Sequence, residues 1–103
     1  MIQVEENKTT YIMNNQVMGE VDYPYIDDNT VNITHTFVDP SLRGQGIADQ
    51  MMRNVFEYLS ENNIKVICTC SYAKKWLEHH PEYSKLKIKF KSKFPKMMRN
   101  KIL

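Results

Sequence analysis

At 103 residues the chain has room for one domain, since two would each fall short of an independent core. The formal net charge of +2 conceals an asymmetry: all twelve acids lie before Ser84, while eight of the fourteen Lys and Arg residues follow it. No window approaches the ~18 apolar residues of a membrane helix, and Met1-Ile2-Gln3-Val4-Glu5-Glu6 lacks the basic and apolar regions of a signal peptide, so membrane-spanning and secreted classes are not expected.

The first 38 residues alternate and turn as an antiparallel meander does. Ile2 to Glu6 and Thr9 to Met13 are short candidate strands, and Asn14-Asn15 suits a tight hairpin turn. Gln16 to Ile26 places Val17, Gly19, Val21, Tyr23 and Tyr25 on one face, and Asp27-Asp28-Asn29 makes the next turn. Thr30 to Val38 reads as a single strand with Val31, Ile33, His35 and Phe37 sharing a face. Pro40, Gly44 and Gly46 then break the chain. From Ile47 to Asn62, the residues Ile47, Met51, Met52, Val55, Phe56 and Leu59 form an apolar stripe at helical spacing, with Asp49, Arg53, Glu57 and Glu61 on the wet side.

Val66-Ile67-Cys68-Thr69-Cys70 is short and almost continuously apolar, as a central strand of a parallel pair is. Tyr72 to His80 predicts a second helix with Ala73, Trp76, Leu77 and His80 on one face, closed by Pro81. Strand, helix, strand in that order is one right-handed βαβ crossover. Following a meander, it gives an α+β class with a mixed, mainly antiparallel sheet. Cys68 and Cys70 are the only cysteines, and their C-x-C spacing points both side chains the same way on an extended chain, which disfavours their pairing. Free thiols belong to a reducing compartment, so a cytoplasmic location is expected.

The chemistry concentrates in Val38-Asp39-Pro40-Ser41-Leu42-Arg43-Gly44-Gln45-Gly46-Ile47-Ala48, which joins a strand to a helix through two glycines. The first amides of a helix have no internal partner, and the helix dipole adds partial positive charge there. Small residues just before that point let a phosphate approach the backbone, and a pyrophosphate is the natural guest. The plainer reading is a turn and nothing more. Gly-Lys-Ser/Thr, needed by a Walker loop, is missing, and Asp49 stands where a dinucleotide fingerprint needs its third small residue.

Arg43-Gly44-Gln45-Gly46-Ile47-Ala48, preceded by Val38-x-Pro40, resembles the acetyl-CoA loop of the GNAT superfamily, Arg/Gln-x-x-Gly-x-Gly/Ala. His35-Thr36-x-Val38, Cys70-Ser71-Tyr72-Ala73 and Leu77-x-x-His80-Pro81-Glu82-Tyr83 are similar to a short, single-domain branch of acetyltransferase-like proteins, with Phe37 and Cys68 where that branch has Glu and Pro. The resemblance covers roughly Tyr11 to Leu86. It implies a truncated GNAT fold over residues 1–86, with 87–103 a basic edge strand or tail. It also implies that two parallel strands splay near Val38 and Cys70, with pantetheine in the gap. Backbone groups of Phe37 and Val38 would bond the pantetheine amides, and Arg43, Gly44, Gln45, Gly46, Ile47 and Ala48 would hold the pyrophosphate.

The resemblance leaves each side-chain role with an alternative. Cys70, at a strand end before a helix, is placed to meet the acetyl group, and a helix N-terminus raises a thiolate fraction. It also fits a small buried hydrophobe. Tyr72 is placed to protonate the leaving thiolate. His35 fits either a general base near neutral pH or a core histidine. Lys74 and Lys75 either reach the adenosine 3′-phosphate or stay solvated. His79-His80 with C-x-C lacks the spacing of a structural zinc site, so no metal is expected.

The tail from Lys85 alternates lysines with Leu86, Ile88 and Phe90, which suggests an edge strand more than a nucleic-acid patch. An unfinished edge also invites a homodimer. The combined reading is N-acetyl transfer from acetyl-CoA to an amine of unassigned identity. The alternative is a non-catalytic acyl-CoA-binding module completed by a partner.

Overall fold

The structure is a computed structural model that describes residues 1–88; residues 89–103, with the lysine-rich tail beyond Ile88, lie outside the described residues. Strand β1 (Ile2–Val4) pairs antiparallel with β2 (Lys8–Met13), and β2 with β3 (Gln16–Asp22). Asn14 and Asn15 both take positive φ, 51° and 63°, the geometry of a tight hairpin whose twist matches its strands. Strands β4 (Tyr25–Asp27) and β5 (Thr30–Ile33) form the next hairpin, in which the Asp27 carboxylate accepts the Asn29 amide at 2.8 Å.

The segments Gln16–Ile26 and Thr30–Val38 are not single strands. Each breaks, the first at Tyr23-Pro24 and the second at Thr34, which separates β5 from β6 (His35–Val38). The halves go to different sheets, ordered β1-β2-β3-β6 and β4-β5-β7, instead of one mixed sheet. The break shifts the alternation by one residue. Val31 and Ile33 are fully buried, while His35 and Phe37, predicted for the same face, are exposed. A core role for His35 is thereby corrected.

Helix α1 (Ile47–Glu61) lays its apolar stripe on both sheets, with Met51, Met52, Val55, Phe56 and Leu59 fully buried alongside Val21, Tyr23, Val31, Ile33 and Val66. Gly19 marks the tightest approach, since a Cβ there would lie 3.0 Å from Met51 Cε. Strand β7 (Lys65–Cys68) pairs parallel with β5, completing the βαβ unit. Helix α2 (Ser71–Glu78) follows, and Pro81–Leu86 is a 3-10 turn, so the period-two pattern read from Lys85 is not strand over its first two residues. Extended pairing starts at Lys87, which bridges Val66, and Ile88 donates to the Val66 carbonyl at 3.0 Å. Among the described residues no helix is long and apolar enough to cross a membrane.

Candidate functional site

The parallel pairing of β5 and β7 ends at Ile33↔Cys68. There the Ile33 carbonyl accepts both the Thr69 and the Cys70 amides, at 3.1 and 3.0 Å. Beyond that point the arms diverge. Thr34 donates to Asp22 and carries β6 onto β3, while the other arm turns into α2. The result is a fork at the carboxyl ends of two parallel strands, where open α/β sheets present their crevices.

Strand β6 is the edge of its sheet, so one side of its backbone has no strand partner among the described residues. The Asp39 amide donates to the Met18 carbonyl at 2.7 Å. With the register Gly19↔Val38 and Glu20↔Phe37, this fixes the hydrogen-bond phase. Phe37 and His35 turn their backbone groups toward β3, and Thr36 and Val38 turn theirs into the fork. The open edge therefore presents the backbone groups of Val38 and Thr36, while those of Phe37 face β3. Thr36 joins the candidate site by this geometry and not by any sequence motif; counting strand phase back from Pro40 is the signal that would have found it.

Asp39 caps the short turn Pro40–Leu42, and the Ser41 amide and hydroxyl hold its carboxyl below the usual carboxylate range. Gly44 and Gly46 follow with φ of +86° and +76°, conformations that side-chain-bearing residues rarely adopt. A Cβ at either would meet nothing within 4 Å, so these glycines serve the backbone path and leave open space over the loop. Gly46 caps α1 without a side-chain hydrogen bond. The first helical bond runs from Gln50 to the Gly46 carbonyl. Among the described residues, the amides of Gly44 through Asp49 have no protein acceptor. Consecutive unpaired N–H groups at the positive end of a helix form an anion cradle. Arg43, Gly44, Gln45 and Gly46 are exposed along it, Ala48 is partly exposed, and Ile47 is buried against the core.

Asp49 sits in the first turn of α1, yet its carboxylate is occupied elsewhere. Trp76 Nε1 donates to Oδ1 at 2.7 Å, and Arg53 lies 3.7 Å from Oδ2. Trp76 in turn stacks on Phe56 and on His80, whose ring centroid is 3.6 Å away, tying α2 to α1.

Across the fork from β6, Cys70 is the N-cap residue of α2 and is half-buried, with Sγ 3.4 Å from Thr36 Oγ1. Both cysteines are free. Burial pushes the Cys68 thiol up to about 11. Tyr72, in the first turn of α2, is exposed, and partial burial followed by the Asp49 charge raises its phenol above 10. His35 lies on the outer face of β6 opposite Asp22, and Lys75 is exposed on α2. A separate cleft of about 230 Å³ lies between β7, α2 and the 3-10 turn, lined by Cys68, Lys74 and Leu77 among others, and includes none of the loop residues. Among the described residues no group of three His, Cys, Asp or Glu side chains could hold a metal ion.

The family model described as GCN5-related N-acetyl-transferase matches residues 9–86. In structure the chain is similar to a GCN5-like protein of Staphylococcus aureus, at 36% identity and a TM-score of 0.69, covering 85% of this chain and 87% of that one. A GNAT family acetyltransferase from Elizabethkingia anophelis, solved with acetyl-CoA bound, superposes with a TM-score of 0.54 at 20% identity over 74% of this chain and 51% of its own, which speaks to the fold alone. In sequence it is similar to Protein NATD1 of Xenopus tropicalis, 32% identical over 59 residues, or 57% of this chain. The match spans 54% of that relative, about half its length.

Proposed function

The chain belongs to the GCN5-related N-acetyltransferase family, and from that premise we propose that it transfers the acetyl group of acetyl-CoA to an amine. The observation that carries this reading is the run of unpaired amides from Gly44 to Asp49 beside an unpaired strand edge. The amides suit a pyrophosphate, with Arg43 exposed beside them. The edge suits the two amide groups of pantetheine, which would bond the backbone of Thr36 and Val38 as an added strand does.

The thioester then lies in the fork. The amine nitrogen attacks the acetyl carbonyl carbon, the carbon–sulfur bond breaks, and the coenzyme A thiolate leaves. A backbone N–H of the open edge supports the charge on the carbonyl oxygen. His35 takes the proton lost by the amine, and Tyr72, protonated at neutral pH, supplies one to the departing sulfur. Lys75 is offered to the adenosine 3′-phosphate. Acceptance of the acetyl group by Cys70 is the secondary route.

Gly46→Glu tests the reading. It forces a side chain into φ +76° and adds a negative charge where the phosphates would sit. Calorimetry with coenzyme A should show binding to the wild type and a loss of at least about 100-fold in the variant. Equal affinity in the two proteins would overturn the loop assignment. Coenzyme A binding by the wild type without thiol release from acetyl-CoA, across a panel of lysine, spermidine, tyramine and an alanine-initiated peptide, would refute transfer and leave a binding module.

A further inference from the structure

Resting on the donor site above, we propose that Thr36 and Cys70 form the floor of the acyl slot and limit the site to short acyl groups, acetyl over longer chains. Their side chains bridge the two arms of the fork at 3.4 Å, just beyond the last strand pair Ile33↔Cys68. Toward Val38 no hydrogen bond joins the two arms among the described residues. A chain entering along the β6 edge from the phosphate loop therefore meets this contact at its far end.

The floor has little room to yield. Thr36 sits opposite Val21 in the register, Ile33 closes the apex, and Ala73 lies one helical turn beyond Cys70; all three of these neighbours are fully buried. Close-packed surroundings of this kind resist an inserted methylene. Cys70 is thus a specificity residue, and its bulk matters here more than its nucleophilicity.

Calorimetry with coenzyme A, acetyl-CoA and butyryl-CoA on the wild type and on Cys70→Ala reads this directly. The wild type should prefer acetyl-CoA over butyryl-CoA by at least about 10-fold, the lower end of what one methylene decides in a fitted pocket. Cys70→Ala should bring that ratio close to one by tightening butyryl-CoA, with free coenzyme A bound as before. Thr36→Ser trims a methyl from the opposite wall and should move the ratio in the same direction. If both donors bind the wild type equally, or if the ratio stays fixed in both variants while coenzyme A still binds, the floor assignment is wrong. A variant that weakens all three ligands alike would mark a merely structural residue and also count against it. Failure of the wild type to bind coenzyme A would instead remove the donor site on which the proposal rests.

Discussion

Cys68 and Cys70 are two residues apart and do different things because their surroundings differ. Cys68 is 8% exposed at the end of β7, and burial, the largest influence, pushes its thiol up to about 11. An unfolded cysteine titrates near 8.5. The folded state therefore holds the proton more tightly, and the stability linked to it is complete below about pH 8.5 and is lost as pH rises through about 11. Tyr23, raised to about 12 mainly by burial, continues the trend at higher pH. Urea midpoints measured from pH 8 to 11 should fall by the equivalent of about 3 kcal/mol, and Cys68→Ala should flatten most of that slope. A midpoint independent of pH over this interval would contradict the burial of Cys68.

At the scale of elements, α1 and α2 are held together through Trp76. Its indole N–H on Asp49, at 2.7 Å, is a charge-assisted bond at the first turn of α1, so the helix that presents the loop amides is braced by the helix that presents Cys70 and Tyr72. Asp49 is half-exposed and water can replace part of the bond. Trp76→Phe should cost about 1–3 kcal/mol, seen as a lower urea midpoint with an unchanged slope. These helices were legible in the sequence: the stripe from Ile47 to Leu59 and the punctuation by Gly46 and Pro81 gave their positions within two residues. The fork was less legible. Pro24 was a visible reason for the first break, since proline disrupts a paired strand. Nothing in Thr30–Val38 announces the second, because the residues around Thr34 are all compatible with continuous extension and the shift comes from Asp22 capturing the Thr34 amide. Continuous alternation therefore puts His35 on a face it does not share and leaves Thr36 without a signal. Helical periodicity puts Asp49 on the wet face, where it is half-exposed, but its indole partner lies 27 positions away, a distance no local pattern spans.

Over the whole molecule, the fold brings three features to one end: the open edge of β6, the amino end of α1 and the amino end of α2. Their common origin is the parallel pair β5 and β7, whose carboxyl ends diverge, β5 passing through Thr34 into β6 and β7 into α2. The acidic body makes this end significant, since twelve acids precede Ser84 and yet the amide run and Arg43 offer an anion a local positive field. An amide-resolved NMR titration with coenzyme A tests the claim most directly. The backbone N–H resonances of Gly44, Gln45, Gly46, Ile47, Ala48 and Asp49 should shift together and saturate at one midpoint, with Thr36 and Val38 following. If those resonances hold still at saturating coenzyme A, the loop is a plain turn and the account fails.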